Sequence, residues 1–165
     1  MNRRFLQHLF HIPLQTRRAF PPQTREAIRK AIATGEAHHR GEIRFVVEGS
    51  WPVGEVWAGK RVKDRALEIF GLSRAWDTAD NTGVLVYALL CEREVHVLAD
   101  RGINARVPPS TWIGVCEHLR EDYAAGSYEV GSVSAIQTIS TVLAEHFPAG
   151  PDNPNELPDE PVILR

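Results

Sequence analysis

Residues 83–100 read GVLVYALLCEREVHVLAD, and the fold follows from how this stretch divides. Residues 83–91 are apolar almost without a break, which predicts a central strand covered on both faces. From Glu94 the pattern alternates, with Val95, Val97 and Ala99 on one face, as in a strand with one face on the core. Only the charged turn CERE separates the two runs, so they form an antiparallel hairpin. Tyr87 falls inside the first run, and its hydroxyl therefore needs a partner.

Upstream, EIRFVVE (42–48) alternates Ile43, Phe45 and Val47 against Arg44, Val46 and Glu48, which predicts a half-buried strand. Residues 55–70 fit a helix with Val62, Ala66, Ile69 and Phe70 inward, closed by Gly71. A helix between two strands implies a right-handed crossover and parallel pairing. Before it, residues 22–40 read as a helix with Ala27, Ile28, Ala31 and Ile32 on its apolar face, stopping near Gly41. Downstream, a loop over 101–110 leads into a helix through about Tyr123, with Trp112, Val115, Cys116 and Leu119 inward. A last helix spans 132–147, and the remainder is a Pro-rich, acidic, extended tail. The order predicts an α/β fold, a small mixed sheet with helices on both faces. Three segments follow: an amphipathic stretch over 1–20, an α/β domain over 21–149 and the tail over 150–165.

With 165 residues, 43% apolar and 24% charged, the chain fits one soluble domain with a real core. A net charge of -2 gives no basis for nucleic-acid binding through bulk charge. Cys91 and Cys116 read as buried free thiols in a reducing compartment, and with neither signal peptide nor spanning segment the expectation is a cytoplasmic protein. Phe5, Leu6, Leu9 and Phe10 share one face of a short basic helix. Packing on the domain is the favoured reading, with weak peripheral membrane contact through residues 3–18 as the alternative. Neither a phosphate-binding Gly-rich loop nor a Gly-x-Ser-x-Gly elbow occurs. His38 and His39 read as a solvated helix end, and the four tryptophans as core or domain-edge aromatics.

The topology also gathers acidic residues. If the strand at 42–48 and the strand from Gly83 are parallel, both start at one end of the sheet, and the returning hairpin strand brings Asp100 back there. Glu42, Asp77, Asp80, Asn81 and Asp100 should then meet, with Glu36 and His39 close by. Crowded carboxylates repel by ~1 kcal/mol per pair in water. Arg40 and Arg101 offer one kind of neutralisation, a hard divalent cation another; Ca²⁺ is favoured, with Mg²⁺ as the alternative. DTADN lacks the complete calcium-loop pattern, and Asx-turns and caps explain it about as well.

The stretch WDTADNTGVLVYALLCEREVHVLADRGI (76–103) resembles the TPM domain family, through Thr78 and Asn81 ahead of Gly83–Tyr87 and through Ala99–Ile103 after the hairpin. HRGEIRFVVE (39–48), RALEIF (65–70) and NELPDEPV (155–162) are similar to its first strand, its crossover helix and the tail of its short bacterial members. The resemblance implies a three-layer α/β/α sandwich and divalent-cation binding, mostly calcium, at acidic loops on one sheet edge. It implies two roles: an accessory module for a protein partner, as in an animal receptor subunit, or a metal-dependent acid phosphatase, as in a chloroplast member. In the phosphatase reading a cation polarises the phosphoryl group, Asp80 or Asp100 serves as base, and Arg101 holds the phosphate.

Overall fold

The computed structural model describes residues 3–164. Its sheet holds β1 (Glu42–Glu48), β2 (Gly83–Leu89), β3 (Glu94–Ala99) and β4 (Val162–Leu164), in the order β3-β2-β1-β4. β1 and β2 are parallel, with Glu42 opposite Gly83; β2 and β3 are antiparallel, with Val84 opposite Ala99. The parallel pairing and the hairpin are therefore both as the sequence predicts.

β1 corrects the sequence reading. All seven of its residues are buried, so it is a central strand rather than a half-wet one. The tail supplies the reason: β4 pairs in parallel along its outer edge, Val46 opposite Val162. The polar residues of its second face are buried with partners. Glu48 receives a two-pronged grip from Arg65 at 2.9 and 3.0 Å. It also accepts the Tyr87 hydroxyl at 2.6 Å, the partner that Tyr87 required. Arg44 donates to the Pro158 carbonyl.

One face of the sheet carries Ile43, Phe45, Val47, Val84, Val86 and Val97. It packs against α3 (Pro22–Glu36), α7 (Pro109–Ala124) and α8 (Tyr128–His146) through Ile28, Ile32, Leu119, Ile136, Ile139 and Leu143. The other face carries Val46, Leu85, Tyr87 and Leu89 against Val62, Ala66 and Ile69 of α5 (Val62–Leu72). The result is an α/β/α sandwich. The single helix expected over 55–70 is two, α4 (Val53–Trp57) and α5, because Gly59 turns left-handed between them (φ +73°). Residues 101–104, expected as loop, form the short helix α6 (Arg101–Asn104), capped by Asp100.

At the N-terminus, α1 (Arg3–Phe10) and α2 (Pro13–Ala19) meet at a corner that Pro13 sets by opening α2. α1 lies on α4, with Phe5 edge-on to Trp57 at 5.9 Å. The wholly buried His8 ring accepts the Trp51 N–H at Nδ1 (2.9 Å), so its proton sits on Nε2, 2.7 Å from Glu92. Trp51 and Trp112 are core residues, but Trp57 and Trp76 are exposed. Among the described residues no helix is long and apolar enough to cross a membrane.

Candidate functional site

The parallel start of β1 and β2 and the return of β3 place the acidic loops at one end of the sheet. The Asp100 N–H donates to the Gly83 carbonyl at 2.9 Å, which fixes Asp100 beside the start of β2. The loop before β2 is wound by its own side chains. Thr78 Oγ1 accepts the Thr82 N–H (2.9 Å), the Asn81 N–H donates to the Thr78 carbonyl (3.1 Å), and Asn81 adopts a left-handed φ of 55°. Thr82 Oγ donates to the Arg40 carbonyl at 2.8 Å, tying the loop to the segment that enters β1.

Each residue expected at the site has a definite position. Asp80 pairs with Arg40 at 2.7 Å and Asp77 with Arg74 at 2.6 Å, both pairs exposed. Asn81 Oδ1 accepts from Arg101 Nε at 2.9 Å. Asp100 Oδ1 caps α6 by accepting the Arg101 N–H at 2.7 Å, while its Oδ2 is buried without a partner. Gly102 lies so close to the loop that a Cβ there would stand 2.6 Å from the Asn81 carbonyl oxygen and 2.7 Å from that of Asp80. Glu42 stands apart in chemistry: it is buried, and its two oxygens accept the N–H groups of Glu156 (3.2 Å) and Leu157 (3.0 Å). Burial pushes its carboxyl above the usual range. Loss of water thus falls on Glu42, while Asp77 and Asp80 keep exposed guanidinium partners.

The donor set suits a hard cation in kind: carboxylates, an amide oxygen and two crowded carbonyls, with one buried carboxylate oxygen unused. It is not assembled around a point. Among the described residues no three acidic, histidine or cysteine side chains stand close enough together to hold a metal ion as they lie.

Two features of this end were not read from the sequence. The first is Glu156, whose carboxylate accepts the Ala79 N–H at 3.0 and 3.2 Å. One tail residue therefore joins Glu42 through its backbone and the 77–82 loop through its side chain. Nothing local in NELPDEP signals this, since the partner lies 77 residues away. Because Glu156 is exposed, Glu156→Ala should cost under ~1 kcal/mol while speeding amide exchange at Ala79 and its neighbours. Unchanged exchange there would show that Glu156 does not hold the loop.

The second is the interior beneath the tail. His39 is buried, not a solvated helix end, because the chain folds back over it and pairs it with Pro148. Its Nδ1 lies 2.9 Å from the Gly41 carbonyl oxygen and 3.2 Å from the Gly41 N–H; burial lowers its pKa to about 4, which keeps the ring neutral. Glu36 is also buried and accepts the Ile43 N–H at 2.8 Å. Burial first, then the nearby Glu42 and Asp159, push its carboxyl up to about 9 against the pull of that N–H. His38, one residue before His39, stays exposed, so the two histidines never converge.

Comparison with known proteins agrees with this architecture. The solved NMR structure of BA42 protein from the psychrophilic bacterium Bizionia argentinensis sp. nov. superposes with a TM-score of 0.75 at 27% identity, over 86% of this chain and 92% of that one. No curated protein matches the chain. A sequence model of the TPM domain matches residues 15–142, which include β1, the 77–82 loop, the β2–β3 hairpin and Asp100, and the chain belongs to the TPM domain family.

Proposed function

We propose that the chain is a TPM-domain accessory module whose loop end, at Asp77, Asp80, Asn81 and Asp100, takes up a divalent cation, Ca²⁺ before Mg²⁺, and presents the ordered loops to a protein partner. The observation that carries this reading is the buried, unpartnered Oδ2 of Asp100 at the sheet end that also carries Asp77 and Asp80, each exposed and paired with its own arginine. Exposed ion pairs contribute only ~0–1 kcal/mol each, so Arg40 and Arg74 give way to a cation at little cost. Asp100 Oδ2, the Asp80 and Asp77 carboxylates and the carbonyls facing Gly102 would hold the ion, and Glu42 would remain with the tail. The ion would neutralise the cluster and order the 77–82 loop. Catalysis has less support: the two hydroxyls of the loop, Thr78 and Thr82, are each engaged within the fold.

The test is a calcium titration with thermal melting. At a hundredfold excess over Kd, a ligand of the folded state alone adds ~2.7 kcal/mol. The gain should vanish in Asp80→Ala and shrink in Asp100→Ala. If the aspartates are only turn and cap residues, the parent shows no calcium shift and each change costs ~1 kcal/mol with or without calcium. Hydrolysis of a generic phosphomonoester, with and without chelator, should stay at background; chelator-sensitive turnover would favour the phosphatase reading instead.

A further inference from the structure

The helical corner at the N-terminus has two sides. Inward, His8 and Thr16 are buried, and Thr16 Oγ1 lies 2.8 Å from His11. Outward, four large apolar side chains within six residues face solvent: Leu9 at 52%, Phe10 at 69%, Ile12 at 51% and Leu14 at 48% exposed. Single exposed apolar residues are ordinary, but four within six residues at one helical corner form a patch. Arginines frame it. Arg17 and Arg18 follow Leu14 at the i+3 and i+4 spacings that make neighbours on a helix, and Arg3 shares a face with Phe10 across the groove that both line. Arg3, Arg17 and Arg18 are exposed, and among the described residues none of the three has a carboxylate partner.

We propose that this corner is a docking surface for an anionic lipid bilayer. An apolar wedge of Leu9, Phe10, Ile12 and Leu14 enters the interface while Arg3, Arg17 and Arg18 meet lipid phosphates. Charge complementarity selects this occupant. The corner carries three guanidiniums without a carboxylate partner among the described residues and, over residues 3–18, not one acidic residue, whereas the chain as a whole is net negative. A second copy would bring the same three cations against themselves. The apolar side chains fall within six residues and stand exposed while His8 and Thr16 of the same two helices are buried, so insertion needs no unfolding. This surface is distinct from the acidic loops and does not depend on cation binding there.

The experiment is co-sedimentation of the full chain with vesicles of phosphatidylcholine alone and of phosphatidylcholine with phosphatidylglycerol, at low and high salt. Binding should occur on the anionic vesicles, fall with salt and be weak on the neutral ones. The double variant Phe10→Ser, Leu14→Ser should lose it, and Arg17→Gln, Arg18→Gln should reduce the partition coefficient on the order of tenfold. All four positions are exposed, so the variants should melt with the parent. Absence of binding to anionic vesicles overturns the proposal, as does binding that both double variants retain. Self-association in sedimentation that the Phe10 and Leu14 changes abolish, without vesicle binding, would overturn it in favour of a second copy.

Discussion

Glu36→Gln should make the protein more stable at pH 8 than the parent, by about 2 kcal/mol or more, and leave it nearly unchanged at pH 4.5. The cause is a proton. In the folded chain Glu36 is 7% exposed, beside Glu42 and Asp159, with a carboxyl pKa raised to about 9 from the usual 4.5. Between these values the folded state holds a proton that the unfolded state has released. Stability contributed by this group is then complete below pH 4.5. It declines as pH rises, by at most ~1.4 kcal/mol per unit, and levels off above about 9. Glutamine fixes the neutral form, still accepts from the Ile43 N–H, and presents an amide N–H to the unpartnered side of the cluster. His39 acts oppositely: its lowered pKa makes stability rise with pH between about 4 and its ordinary 6.5. Urea melts of parent and variant across pH 5 to 9 should therefore be compared by difference, which cancels His39. Parallel curves would mean that Glu36 is ionised in the fold.

The sequence placed Glu36 and His39 near Glu42 but did not show the burial that sets this behaviour, while the sheet beside them was legible. Residues 83–100 declare their structure locally: an unbroken apolar run, a four-residue charged turn and an alternating run leave little besides a central strand in a hairpin. The crossover rule then fixed β1 parallel to β2, and with it the meeting of Asp80 and Asp100 at one end. These steps use only period and handedness. β4 is three residues after a proline, too short for a periodic signal, yet it turns β1 from an edge strand into a central one. The segments that carry Glu42, Asp77, Asp80 and Asp100 do share one end of the sheet, but a sequence does not say which neighbour neutralises which carboxylate. Arg74 and Arg40 took the exposed pair, and the tail backbone took Glu42. Glu36 and His39 are buried by a segment more than a hundred residues later, through Asn153, which donates to both of their carbonyls. Contacts of that range leave no local trace.

Gly83→Ala should be among the most damaging single-methyl additions to this chain. Gly83 opens β2, and its φ is ordinary, so it is not a glycine of left-handed turns. Its requirement is space: a Cβ there would lie 1.7 Å from the Ala75 carbonyl oxygen and 2.7 Å from the carbonyl carbon. Both are backbone atoms, so no rotamer change relieves the clash. Either the loop through Ala75 lifts off the sheet or the start of β2 retreats. Retreat strains the bond from the Asp100 N–H to the Gly83 carbonyl and the 3.2 Å bond from the Glu42 N–H to the Thr82 carbonyl. Overpacking of this kind costs ~3 kcal/mol or more when backbone must move. Gly71→Ala is the control. It lies in α5 with nothing within 4 Å of its Cβ position, so alanine should be neutral or gain up to ~1 kcal/mol of helix propensity. In urea unfolding the two variants should move in opposite directions from the parent. If Gly83→Ala instead unfolded with the parent, the approach of Ala75 to β2 would be looser than described. The glycine that begins GVLVYALL would then need another reason than the loop that carries Asp77 and Asp80 pressing against it.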